Sequence, residues 1–130
     1  MQIKIIYADS KGGVKTVSNM LHKSFINSSI NSELLNMNDY GKNIWQKLKN
    51  SYKIIKKYDK NDVLILQHFD VILFGIFLKF FGYKNIINVV HTNLIDYYSS
   101  SNIIKKIIVR VLFFIKVDCL FCIISIYKKV

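Results

Sequence analysis

Two stretches of this chain, Asp62-Val-Leu-Ile-Leu-Gln67 and Asn85-Ile-Ile-Asn-Val-Val90, are apolar almost without interruption and carry no helical periodicity. Their length and β-branched content make them strands. A strand without polar alternation is buried on both faces, the condition of a parallel sheet covered by helices. Parallel neighbours cannot be joined by a hairpin, so each pair needs a crossover, which is usually a helix.

The rest of the chain supplies those helices. Ile3 to Ala8 reads as a first strand, and Val14 to about Ser24 as a helix with Val14, Val17, Met20 or Leu21 and Phe25 on its inner stripe. Ser32 to Met37 is a short strand. Asn38 or Asp39 can cap the next helix, which runs to about Tyr58. Ile44, Leu48, Tyr52 and Ile55 form its inner stripe, Trp45 anchors it in the core, and Lys42, Lys49, Lys53, Lys56 and Lys57 face out. Asp70 can cap a helix from Val71 to Phe81 that Gly82 ends. After the strand at 85–90 come a polar loop from Asn93 to Ser101, a helix from Asn102 to Val117 and a last strand from Asp118 to Ile124. The order β-α-β-α-β-α-β-α-β predicts an α/β fold: an open parallel sheet with helices on both faces, Rossmann-like. At 130 residues it is a single domain.

In such sheets ligands bind at the carboxyl ends of the strands. Asp9 to Gly13 fall there after the first strand, His68 after the third, His91 and Thr92 after the fourth, and Ser125 after the fifth. Gly12-Gly13-Val14 stands between strand and helix. Its glycines let backbone pass close to a ligand, and the helix start offers N–H groups and a positive dipole end to an anion. His22, inside the first helix, reads as a surface residue.

The formal charge is +11, and 52% of the residues are hydrophobic, too many for disorder. A basic chain attracts nucleic acid, anionic membrane or phosphorylated ligands. The crowding of Ile, Lys, Asn and Tyr also fits the coding bias of an AT-rich genome. Cys119 and Cys122 are the only cysteines. On a strand, positions three apart point to opposite faces, so they read as core thiols in a reducing compartment rather than a metal or redox pair. No signal peptide or membrane span is expected: Val71 to Phe81 is too short, and Ile107 to Ile126 carries Arg110, Lys116 and Asp118.

Three chemistries can use such a rim. Lys11-Gly-Gly-Val-Lys-Thr16 is similar to the lysine-first phosphate loop of partition-type ATPases, but it is one glycine short, and Gln67-His68 stand where the acidic Mg²⁺ partner belongs. A dinucleotide fold needs G-x-G-x-x-G, which is absent, and Glu33 precedes the strand end that a ribose-binding acid should follow.

The third is glycosyl transfer. Gly12-Gly13-Val14 followed by Asn19-Met20-Leu21 resembles the opening of the retaining family 4 glycosyltransferases of GT-B fold. Asp62 to His68 is similar to that family's strand ending in histidine, Asn88-Val-Val-His91-Thr92 to the next, and Asp118 to Ser125 to its strand of acidic residue, aliphatic run and serine. The resemblance spans nearly the whole chain and covers the N-terminal, acceptor-side domain of such an enzyme. It implies that Gly12 and Gly13 face the donor diphosphate. It places His91 at the reacting centre as the catalytic candidate, and Asp9, Lys11, His68 and Thr92 around the acceptor. A nucleotide-sugar is the expected donor of the whole enzyme, and a sugar or lipid-linked glycan of a bacterial surface polysaccharide the acceptor. The family's basic pair and paired glutamates of the donor-binding half are not among these residues, so the domain alone is not expected to complete the reaction. A non-catalytic binding module of the same fold is the alternative. No resident cofactor, metal or nucleic-acid partner is expected. Lys105, Lys106, Arg110 and Lys116 share one arc of the 102–117 helix, suited to an anionic membrane surface. The expected location is cytoplasmic, peripheral on the inner face of the membrane.

Overall fold

A computed structural model describes residues 1–8, 13–67, 69–90, 102–104, 106–107, 110 and 122–123. Five parallel strands, β1 (Ile3–Tyr7), β2 (Ser32–Asn36), β3 (Val63–Gln67), β4 (Asn85–Val90) and β5 (Cys122–Ile123), lie in the order β2-β1-β3-β4-β5. Three helices join the first four: α1 (Gly13–Asn27), α2 (Ile44–Ile55) and α3 (Phe69–Phe80). The predicted Rossmann-like α/β sheet is present. Described residues of the predicted 102–117 helix (Ile103, Ile104, Lys106, Ile107 and Arg110) are helical, and the Lys106 N–H donates to the Asn102 carbonyl at 3.1 Å.

Strand alternation divides the core. Ile6, Leu35, Leu64, Leu66 and Ile86 face α2 and α3, where they pack on Ile55, Val71, Phe74 and Leu78. Gly75 brings α3 down onto this layer: a Cβ there would stand 2.4 Å from Leu66 Cδ1. The intervening residues face α1, where Ser32 Oγ meets His22 Nδ1 at 2.7 Å and donates to the His22 carbonyl at 3.5 Å. His22 is therefore tied to β2 and is not the free surface residue its sequence position suggests.

The inner face of α1 is Val14, Ser18, Leu21, His22 and Phe25, while Val17 and Met20 point outward. Ser18, not Val17, is the residue that α1 buries completely. Ser51 plays the same part on α2. Both are fully buried, and neither Oγ has a hydrogen-bond partner among the described residues. A buried hydroxyl without a partner costs stability, and alanine is the better helix former. Ser18→Ala and Ser51→Ala should each raise the unfolding free energy by about 1 kcal/mol, read from urea midpoints at unchanged slope.

The chain between β2 and α2 departs from expectation. Asn36, not Asn38 or Asp39, caps a 3-10 turn, Met37–Tyr40, its Oδ1 accepting from the Asn38 N–H at 3.1 Å. Asn43 caps α2, its Oδ1 accepting from the Gln46 N–H at 2.9 Å, while Gln46 Oε1 accepts from the Lys42 N–H at 3.1 Å. This resembles a capping box. Helix α2 thus starts later than predicted, and Ile44 and Trp45 stand exposed at its entrance instead of entering the core. Asp70 is the second residue of α3 and not its cap. Gly82 ends α3 as expected, at φ +87°. Its N–H donates to the Lys79 carbonyl at 3.0 Å and that of Tyr83 to the Leu78 carbonyl at 3.3 Å, the paired bonds of a Schellman cap.

Two phenols brace the amino edge. The buried Tyr83 hydroxyl donates to the Ile55 carbonyl at 2.5 Å, and Lys4 Nζ lies 4.4 Å from the Tyr58 ring centre. Burial, with the Glu33 carboxylate second, pushes the Tyr58 hydroxyl well above the ordinary phenol value of 10.0. Burial, then Tyr52 and Asp62, raises Tyr83 as well. Both favour the neutral phenol in the folded state. Their contribution is complete below pH 10.0 and is lost as pH rises beyond it. Stability should fall on the alkaline side of that value, and Tyr58→Phe with Tyr83→Phe should flatten the fall in a pH series of urea titrations.

Candidate functional site

Sheet topology selects the rim. The chain steps from β1 outward to β2, then returns across β1 to β3, so the order reverses between β1 and β3. Crossovers on either side of such a reversal diverge to opposite faces and leave a crevice at the carboxyl ends. Here α1 lies on one face, and α2 and α3 on the other. Their partition is seen in the contact of Tyr52 with Phe77 (ring centres 5.6 Å apart) and in the separate pairing of His22 with Ser32.

Register then sets which side chains lie beneath that crevice. Tyr7 pairs with Asn36 on one side and Gln67 on the other, and Gln67 pairs with Val89. In-register residues of parallel strands share a face, so Asn36, Tyr7, Gln67 and Val89 form one row on the α1 face, the last before the rim. A carboxamide, a phenol and a second carboxamide thus lie side by side. Tyr7 and Gln67 are buried and Asn36 is half-buried. Such groups carry both donors and acceptors; each is already engaged within the protein, Asn36 Oδ1 by the Asn38 N–H, so the row is a polar floor beneath the rim. None of the three stands out in the sequence. The only signal there is a polar residue closing each of three strands, and it becomes legible only once the pairing register is known.

Of the expected site residues, Gly13 is described. It is the first residue of α1, is exposed, and has no positive φ. A Cβ built on it would meet nothing within 4 Å. Among the described residues nothing in the packing around it demands glycine, in contrast to Gly75 and Gly82. Lys15 and Thr16 lie in the first turn of α1 and are exposed. Asp9, Lys11, Gly12, His68, His91 and Thr92 lie outside the described residues. Their chain neighbours are placed: His68 follows Gln67 at the end of β3, and His91 follows Val90 at the end of β4. Strands β3 and β4 are adjacent and parallel.

Other candidates are used elsewhere. Glu33 forms an ion pair with Lys4, its cross-strand partner near the amino edge, so it is spent far from the rim. Among the described residues no cluster of His, Cys, Asp and Glu could hold a metal ion, and no helix is long and apolar enough to cross a membrane. On the basic helix, Lys106 is half-buried and Arg110 exposed; Lys105 and Lys116 lie outside the described residues. Cys122 belongs to β5, paired with Val89, while Cys119 lies outside the described residues. Compared with protein-family models, curated proteins and solved structures, the chain gives no match in any of the three.

Proposed function

We propose that this rim is the acceptor side of a glycosyl-transfer site that works with a nucleotide-sugar donor on a sugar or lipid-linked glycan. The observation that carries the reading is the arrangement of the rim: a polar row, Asn36-Tyr7-Gln67, beside a helix start whose glycine is needed by no packing among the described residues. The resemblance of the four strand-end motifs to the retaining family 4 glycosyltransferases points to the same chemistry.

In this reading the acceptor lies across the carboxyl ends of β1 and β3, over a floor stiffened by the Asn36-Tyr7-Gln67 row. Asp9, Lys11, His68 and Thr92 complete its pocket. Gly12 and Gly13, lacking side chains, would let the donor diphosphate approach the positive end of α1. His91 faces the sugar, where an imidazole can hydrogen-bond a hydroxyl or steady the charge that develops as the bond to the diphosphate breaks. The contribution of this domain is to hold the accepting hydroxyl against the anomeric carbon. Clamping the diphosphate falls to a donor-binding domain. Work on a lipid-linked acceptor places the protein at the inner face of the cytoplasmic membrane.

Titrating the isotope-labelled domain with solubilised glycolipid acceptors tests the reading by amide NMR. Shifts should concentrate at Tyr7, Ala8, Gly13, Gln67 and Val89. Shifts confined to the amino edge, around Lys4 and Asp62, would overturn it. Transfer of radiolabelled sugar to a membrane lipid extract, run with the chain joined to a donor-binding domain and with His91→Ala alongside, tests the catalytic assignment.

A further inference from the structure

The outer face of α2 and α3 is built unlike an ordinary solvated surface. Trp45, Leu48, Tyr52 and Phe77 line a groove of about 600 Å³ together with Lys49 and Lys53. Trp45, Leu48, Lys49 and Tyr52 recur at helical spacing, so they form one stripe of α2. The opposite wall is aromatic: Phe77 stands 5.6 Å from Tyr52 and 4.6 Å from Phe81, and Phe81 stands 5.0 Å from Tyr52 (ring centres). Trp45 is 78% exposed, and Phe77 and Phe81 are exposed as well. Large rings held open to water in a connected patch mark a surface that is covered in use.

Charge selects what covers it. From Gly41 to Tyr58 the chain carries Lys42, Lys47, Lys49, Lys53, Lys56 and Lys57 and no acidic residue. A second copy of this face would set lysine against lysine. An anionic lipid surface complements both features at once, since indole and phenyl rings settle at the headgroup boundary while lysines reach the phosphates. We propose that the α2–α3 face docks on anionic phospholipid membrane, lying on the bilayer with Trp45 at the headgroup level. This surface is distinct from the basic arc at 105–116 and does not depend on the glycosyl-transfer reading.

Trp45 is the sole tryptophan of the chain, so its fluorescence reports on this face alone. Vesicles of equal parts phosphatidylcholine and phosphatidylglycerol should shift its emission to the blue, and added salt should reverse the shift. Lys49→Glu with Lys53→Glu should weaken vesicle binding by more than about tenfold while the thermal transition is retained. Lys23→Glu, on the opposite face, should leave the shift in place. The proposal is overturned if Trp45 emission does not move, if vesicles of phosphatidylcholine alone move it equally, or if the double variant binds as well as the parent. A blue shift that grows with protein concentration in the absence of lipid would assign the face to self-association instead.

Discussion

Phe74→Ala should lower the unfolding free energy by about 3–5 kcal/mol, the range for deleting a buried phenyl ring. Phe74 is 1% exposed and belongs to the cluster that joins α2 and α3 to the sheet. Gly75 beside it holds the backbone of α3 close to Leu66 and Ile86, so helix and sheet meet tightly at this level. The backbone cannot close over the vacancy without moving α3 as a whole, and a rigid neighbourhood puts the loss toward the upper end of the range. A domain of this size has roughly 5–15 kcal/mol in total. The variant should therefore melt roughly 10–20 °C lower in calorimetry. Phe80→Ala is the control. That ring, six residues on in the same helix, is exposed, and its removal should change stability by no more than about 0.5 kcal/mol. Equal losses for the two would mean that α3 is rotated from the orientation described here.

The same pair shows where sequence reading reaches its limit. Strands β3 and β4 are legible because burial on both faces leaves an unbroken apolar run, too short for a helix of the same character. Helix α3 is legible as an element but not as an orientation: from Val71 to Phe81 every residue but Lys79 is apolar or glycine, so periodicity cannot say which phenylalanine faces the sheet. Helix α2 has a polar face, yet its start is hidden. Asn36, Asn38, Asp39 and Asn43 are all competent caps, and the choice among them follows from where β2 ends and the 3-10 turn places the chain. That choice puts Trp45 outside, against the usual expectation for a large ring. Ser18 and Ser51 escape notice because their contribution is small volume at a helix–sheet contact, which residue type does not announce. For the site, the rim is legible from strand–turn–helix order alone. The row Asn36-Tyr7-Gln67 is not, because it is created by register across three strands distant in sequence.

Gly13 offers the sharpest separation of folding from function. A glycine kept for the fold resists replacement, because the new Cβ strikes something or the backbone angle forbids it. Neither holds among the described residues: none comes within 4 Å of the added Cβ, and φ is not positive. Gly13→Ala should therefore fold normally and gain up to about 1 kcal/mol, since alanine is the better helix former and loses less backbone freedom. Gly13→Leu should fold as well, its side chain projecting into solvent beside the rim. If that space is where a diphosphate approaches the start of α1, both substitutions obstruct it, leucine more than alanine. Sugar transfer by the domain joined to a donor-binding half should then fall about 10-fold for alanine and more than 100-fold for leucine, a barrier increase of about 1.4 and 2.7 kcal/mol. Calorimetry and transfer assays on the same preparations would move in opposite directions, the pattern of a residue retained for a ligand at the expense of stability. Full activity in Gly13→Leu would remove the donor from this corner of the crevice. The glycine would then be an ordinary turn residue, and the polar row on β1, β2 and β3 would be left to carry the site.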